Sequence, residues 1–104
     1  MNHARRKQID QLISMLEQLT QDFDPDLYDE CFALVDEIYS AEAEHLEQLS
    51  DSMIDTEFGL EMQDAVCNLC DAKICLRDAI DADFMDETNE QFAEAIRYLK
   101  KANG

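Results

Sequence analysis

The side chains best suited to chemistry are four cysteines, three of which, Cys67, Cys70 and Cys75, stand close together while Cys31 lies far away along the chain. Four thiolates can complete a tetrahedral zinc site. On a straight helix, however, Cys70 and Cys75 lie about 60° and about 80° to opposite sides of Cys67, at roughly 100° per residue. No glycine or proline between them would unwind the helix. The spacing therefore favours buried thiols that pack as small apolar groups, and it predicts no metal or other cofactor.

Histidine and carboxylates are the other groups that could act in catalysis. His45 lies among Glu42, Glu44 and Glu47, a combination that could serve acid–base chemistry, although a solvated helix face gives the same pattern. Paired carboxylates hydrolyse bonds only where two of them occupy unlike environments in a cleft. The sequence has neither a Gly-rich phosphate loop nor a His-Glu-x-x-His pattern. We therefore expect no catalytic residues and no enzyme activity.

The elements that position these groups are predicted to be helices. The 104 residues include only two glycines and one proline, too few turn formers for a sheet of many short strands. We expect one domain, residues 1–104, folded as an all-α, compact antiparallel bundle of about four helices. Apolar periodicity places helices at 4–23, 25–49, 57–81 and 86–102, with a turn at 50–52.

Capping residues support these boundaries. Asp24 is predicted to cap the second helix, with Pro25 as its first residue, and Asp55 or Thr56 to cap the third. The cations that open the first helix oppose its dipole, so its first turn is expected to fray or to pair with a neighbouring acidic helix.

Apolar side chains at three- and four-residue steps predict which faces turn inward. In the second helix an adjoining aromatic strip of Tyr28, Phe32 and Tyr39 makes the apolar face unusually wide. Thr88 with Gln91 would form a capping box at the start of the fourth helix. The predicted inward residues of the third helix are Leu60, Met62, Val66, Leu69, Cys70, Ile74, Leu76 and Ile80, with Lys73 at one expected apolar position.

Charge is both large and segregated. Residues 8–72 contain 18 of the 25 acids and none of the eight Lys and Arg residues, whereas the rest of the chain is nearly neutral. If two such helices lie side by side, carboxylates recur about every 2.7 Å, from a helical rise of 1.5 Å per residue, against roughly 1.7 Å per charge in duplex DNA. Such a protein is repelled by nucleic acid and anionic membranes and attracted to basic surfaces. We therefore expect a cationic protein partner, with no direct nucleic-acid or membrane binding.

Nothing in the sequence predicts export or membrane insertion. The opening residues Arg5, Arg6 and Lys7 are followed by alternating apolar and charged residues, with no apolar run like a signal-peptide core. No segment approaches the roughly 18 consecutive apolar residues of a spanning helix. A cytoplasmic location is expected.

Several segments follow one recognisable pattern: Met1-Asn2, Ala4-Arg5-Arg6-Lys7-Gln8-Ile9, the run from Glu42 through Leu49-Ser50-Asp51-Ser52 to Thr56-Glu57-Phe58-Gly59, and Met62-Gln63-Asp64-Ala65-Val66. In these segments the chain resembles a widespread group of small acidic helical proteins encoded by phages and prophages of Gram-positive bacteria. Residues 22–32 and 84–104 extend beyond the pattern of the short members. Because small inhibitors of host defence are common among mobile-element proteins, the resemblance implies an anti-CRISPR or anti-restriction role in the host bacterial cytoplasm.

The sequence thus leads to two functional hypotheses. The first is an acidic inhibitor that mimics DNA and blocks the cationic nucleic-acid-binding surface of a host defence protein. The second is a non-catalytic interaction or oligomerisation module that assembles through its aromatic strip, for example as a homodimer. The predicted partner-binding residues of the first hypothesis, called here the predicted acidic set, are Asp36, Glu37, Glu44, Glu47, Asp51, Asp55, Glu57, Glu61 and Asp64.

Overall fold

The structure is a computed structural model that describes residues 2–104, and in that range it contains helices and no strand. The prediction of an all-α bundle is confirmed. Four long helices and one short one follow in the order α1 His3–Gln21, α2 Pro25–Glu47, α3 Asp51–Ile54, α4 Glu57–Asp81 and α5 Met85–Asn103.

Local capping explains where the helices begin. The side chain of Asp24 accepts a hydrogen bond from the Asp26 amide, and Pro25 is the first residue of α2. The hydroxyl of Thr56 accepts from the Gly59 amide at the start of α4. Both predicted caps are confirmed, because an oxygen acceptor at the N-cap satisfies amides that the helix itself leaves without partners.

Two local predictions were wrong. The predicted turn at 50–52 is the start of α3, since Ser50 precedes a short helical turn that continues to Ile54. Thr88 does not form a capping box, because α5 already begins at Met85. Instead, the Thr88 hydroxyl is buried and lies within hydrogen-bond distance of the carbonyls of Ala79, at 3.0 Å, and Phe84, at 3.3 Å. Thr88 therefore ties the beginning of α5 to the end of α4.

The four long helices form a ring in which α1 contacts α2 and α5, and α4 contacts α2 and α5. Neighbours run antiparallel, as predicted. Arg5 near the start of α1 pairs with Glu42 near the end of α2, and Tyr28 near the start of α2 donates to the carbonyl of Leu76 near the end of α4. Residues 3–47 therefore form a helical hairpin.

Residues spaced by alternate steps of three and four make up the core. In α4 the prediction holds for Met62, Leu69 and Leu76, which are buried. It was wrong for Leu60, 54% exposed, for Ile80, 52% exposed, and for Ile74, which is also exposed. Small side chains occupy much of the inner face, since they let the neighbouring helices approach closely. The buried residues at these steps in α4 are Met62, Ala65, Leu69, Ala72, Leu76 and Ala79, and in α5 Thr88, Phe92, Ala95, Leu99 and Ala102.

The inner face of α2 differs from expectation in two ways. Tyr28 belongs to the core, 7% exposed, and not to an outer aromatic strip. Glu42 occupies an inward position, seven residues after Val35, and is only 1% exposed. Its Oε1 accepts a hydrogen bond from Nε of Arg5 at 2.8 Å. The predicted pairing of the α1 cations with an acidic helix is therefore confirmed for Arg5.

We predict that Arg5→Ala destabilises the protein, because it removes the donor that faces a buried carboxylate. Removing one partner of a buried ion pair typically costs about 3–5 kcal/mol, and the partial exposure of Arg5 places the expected loss near the lower end of that range. Urea denaturation measures it. The control is Lys7→Ala, at an exposed α1 position, where a change within about 0.5 kcal/mol is expected. Equal stability of the two variants would contradict the role assigned to the pair.

Gly59 gives a second prediction: replacing it with alanine should destabilise the protein, although alanine has the higher helix propensity. A Cβ at this position would lie 2.5 Å from the backbone oxygen of Met53 and closer still to that of Ile54. Because α3 approaches so closely, Gly59→Ala should destabilise by about 1–3 kcal/mol, the usual range for overpacking. Calorimetric melting tests this, with Ala93→Gly on the exposed face of α5 as a comparison in which glycine is the weaker residue. Stabilisation by Gly59→Ala would refute the close packing.

Candidate functional site

The predicted acidic set lies on α2, on α3 and its end, and on the first half of α4. Eight of its nine residues are exposed, and Asp36 is intermediate. The α2 and α4 helices that carry most of the set lie side by side and antiparallel. Carboxylates from two separate parts of the sequence are thus brought onto neighbouring helices.

Asp36 differs from the others because it is engaged within the chain. Its Oδ1 is 2.6 Å from Nζ of Lys73, and the same ammonium lies 6.0 Å from the ring centroid of Phe32 and 5.6 Å from that of Tyr39. This contact explains a lysine at a position where periodicity predicts an apolar residue. It also covers part of the aromatic strip that motivated the self-assembly hypothesis.

Glu61 and Asp64 lie elsewhere, at a cavity between the start of α4 and the end of α5. The cavity, which we call the Glu42 cavity, has a volume of about 350 Å³. Since Asp36 faces Lys73 across the α2–α4 contact, the predicted acidic set occupies more than one side of the bundle. The residues that line the Glu42 cavity are Arg6, Glu42, Phe58, Glu61, Met62, Asp64, Ala65, Lys101, Ala102 and Gly104.

A denser group of carboxylates, which we call the acidic end, lies at the opposite end of the bundle. Residues 22–30 and 78–90 contain eleven acids and no Lys or Arg. The α1–α2 and α4–α5 connections bring the two segments together. All eleven are exposed: Asp22, Asp24, Asp26, Asp29, Glu30, Asp78, Asp81, Asp83, Asp86, Glu87 and Glu90.

Aromatic side chains join the two halves of the acidic end. Phe23 in the first connection stacks on Phe92 of α5, with ring centroids 6.4 Å apart, and Tyr28 lies 6.3 Å from Phe23 and 6.4 Å from Phe92. Burial raises the pKa of Tyr28, and the charges of Asp29 and Asp81 raise it further. The Tyr28 phenol therefore lies near carboxylates of both segments.

The acidic end was not predicted, because its two segments, 22–30 and 78–90, lie far apart along the chain. The antiparallel order of the helices could have predicted the acidic end, because it places the first and last connections of such a bundle at the same end. Exposed apolar side chains accompany the acids there. Phe84 is 69% exposed, and Ile80 and Met85 are each 52% exposed.

The cysteines do not share one environment. Cys67 is exposed, Cys70 intermediate, and both Cys75 in α4 and Cys31 in α2 are buried. Among residues 2–104 no group of three or more His, Cys, Asp and Glu side chains is placed to hold a metal ion. The prediction that the thiols pack as small apolar groups is confirmed for Cys31 and Cys75, and it was wrong for Cys67.

His45 and the buried carboxylate of Glu42 differ sharply in environment. His45 is exposed in the last turn of α2, whereas Glu42 faces the core. The exposed position agrees with a solvated helix face.

No match was found to any family model, curated protein or solved structure. The resemblance to phage-encoded acidic proteins therefore stays a prediction. Within residues 2–104 no helix combines the length and apolar character needed to cross a bilayer.

The Cys31 thiol gives a pH-dependent prediction. Burial, followed by the nearby Glu30 charge, raises its pKa from 9.0 to about 11. Because the thiol ionises more readily in the unfolded chain, its contribution to stability is complete below pH 9 and is lost as pH rises towards 11. We expect the melting temperature to fall across that window, and to fall less in Cys31→Ala. Cys67→Ala, at an exposed thiol, should keep the wild-type slope, and identical slopes for Cys31→Ala and wild type would contradict this assignment.

Proposed function

We propose that the protein binds a cationic, nucleic-acid-binding surface of another protein and competes with nucleic acid for it. The observation that carries this proposal is the exposed carboxylate array on α2 and α4. Those two helices contain eight and six acids, and only Glu42 among them is buried. Their cations are Lys73 and Arg77, each of which faces an aspartate.

The charge density of this pair of helices approaches that of a nucleic acid. Twelve exposed acids and the half-buried Asp36, less two cations, leave eleven negative charges on the pair. At 1.5 Å per residue the helices are about 37 Å long, so one net charge falls on about every 3.4 Å. Duplex DNA carries one per roughly 1.7 Å. A surface within a factor of two of DNA is attracted to the same basic grooves.

Internal pairing leaves few cations to offset the acids. Four of the eight basic side chains face carboxylates of their own chain, namely Arg5 with Glu42, Lys73 with Asp36, Arg77 with Asp78 and Arg97 with Glu94. With a formal net charge of -17, long-range attraction to a basic partner should speed encounter and should weaken as salt screens it.

The most specific form of the proposal is an inhibitor encoded by a phage or other mobile element, acting on a CRISPR or restriction protein in the bacterial cytoplasm. It is supported by the resemblance of the opening segment and of residues 42–66 to phage-encoded acidic proteins. The competing self-assembly hypothesis is less well supported. Tyr28 is buried, and Phe32 and Tyr39 are half-buried beside Lys73, so little of the aromatic strip is free.

We predict salt-sensitive capture of a nucleic-acid-binding protein. Purified protein is immobilised and incubated at low salt with a lysate of bacteria that carry CRISPR or restriction systems. Bound proteins are then eluted with increasing salt and identified. DNA or guide RNA should compete with capture. Because charge dominates the encounter, the triple variant Glu44→Lys, Glu47→Lys and Glu61→Lys should reduce recovery on the order of tenfold, the effect of about 1.4 kcal/mol of lost binding.

The matched control changes the same net charge at the acidic end through Asp83→Lys, Glu87→Lys and Glu90→Lys, which are exposed and lie outside α2 and α4. Its recovery should exceed that of the first variant. Equal loss in both would assign binding to net charge alone and contradict a defined face. Recovery of only the protein itself, unaffected by salt, would support self-assembly instead.

A further inference from the structure

One residue that lines the Glu42 cavity has a buried polar atom without a partner among residues 2–104. Glu42 lines the cavity and is 1% exposed. Its Oε1 accepts from Arg5, but its Oε2 is buried and has no hydrogen-bond partner among residues 2–104. An unpaired buried oxygen of a carboxylate is costly because it has lost its water. A donor supplied from outside the chain would relieve that cost.

The other charged groups around the cavity fall into two classes. Glu61 and Asp64 are exposed carboxylates on the cavity lining. The lining also carries two cations: Arg6 donates from Nη1 to the carbonyl of Asn103 at 2.8 Å, and the Lys101 ammonium lies 5.4 Å from the ring centroid of Tyr98. The acceptors for an incoming donor are therefore the carboxylates.

The remaining wall of the cavity is apolar. Phe58, Met62 and Ala65 line it, and Phe58 is 45% exposed although it is aromatic. The volume of about 350 Å³ lies near the lower end of the roughly 300–1,000 Å³ typical of ligand pockets. The cavity thus offers an apolar wall for a short aliphatic chain and carboxylates for a cationic group at its tip.

We propose that the Glu42 cavity receives a lysine side chain of the cationic partner, an inference that rests on the proposed function. An ammonium has three donors, and three carboxylates, those of Glu42, Glu61 and Asp64, line the cavity. The methylene groups pack against Phe58 and Met62. Arginine fits Glu42 less well, because its planar fork favours two oxygens of one carboxylate and Oε1 of Glu42 is already occupied by Arg5.

The test is direct binding of a small lysine probe in the absence of any partner protein. Nα-acetyl-lysine methylamide is titrated into the full chain, followed by amide chemical shifts of the lining residues. The control ligand is the norleucine analogue, which keeps most of the aliphatic chain without the charge. We expect shifts centred on residues 58–65 and 101–104 with the lysine probe, and binding on the order of tenfold weaker for the norleucine probe.

Variants assign the effect to the buried carboxylate. Glu42→Gln should weaken the lysine probe on the order of tenfold, whereas Glu17→Gln, an equal change of charge on the exposed face of α1, should leave its affinity unchanged. Because Glu42→Gln could lower stability, the double variant Glu61→Gln and Asp64→Asn, at exposed positions, provides a second measure. It should also weaken the probe several-fold while the fold is retained.

Three results would overturn the proposal: equal binding of the lysine and norleucine probes, equal effects of Glu42→Gln and Glu17→Gln, or tighter binding of the matching arginine derivative. Binding of 1,5-diaminopentane without binding of the lysine probe would assign the cavity to free amines and would likewise overturn it. Because no partner protein is present, this test can fail while salt-sensitive capture succeeds, and the reverse can also occur.

Discussion

The constraint on which this bundle depends is that a chain with 25 acids must build its core without burying them. The solution is an alternating spacing of three and four residues along each long helix, which directs a narrow row of side chains inward. In α4 and α5 that row is rich in alanine. The wide outer faces are left for carboxylates and some apolar side chains, so the surface can carry many charges because the buried rows are narrow.

The single acid on these inward rows shows how strict the constraint is. Glu42 occupies a position that an apolar side chain would normally fill, and it is held there by Arg5 from the start of α1. A buried ion pair of this kind is weak evidence for stability, because desolvation offsets most of its attraction. Its clearer effect is to fix the ends of α1 and α2 relative to one another and to leave one carboxylate oxygen facing the interior.

Much of the fold could be predicted because its signals are local. The Asp24-Pro25 step and Thr56 fixed the starts of α2 and α4, and the predicted ends of the four long helices lie within two residues of the observed ones. The inner face of α4 could not be predicted from local signals alone. The spacing of large apolar residues placed Leu60, Ile74 and Ile80 inward. Close packing of the helices instead selects small side chains, to which a hydropathy pattern gives little weight.

The functional surfaces were harder to predict, because they depend on which segments meet. Eight of the nine residues of the predicted acidic set are exposed, but neither the Glu42 cavity nor the acidic end follows from residues that are close in sequence. The cavity forms where the start of α4 lies beside the end of α5. The acidic end forms where two connections that are distant in sequence lie at the same end of the bundle. Both depend on the antiparallel ring.

The aromatic contacts beneath the acidic end have a consequence for how the bundle opens. Eleven mutually repelling carboxylates on two connections and the adjoining helix ends are opposed there by a cluster built on Phe23, Tyr28 and Phe92. Repulsion between exposed charges grows as ionic strength falls, whereas contacts between rings do not depend on it in this way. In dilute buffer, local unfolding should therefore begin at the acidic end. The backbone amide hydrogens there would exchange with solvent sooner than those elsewhere in the bundle, and added salt should slow that exchange.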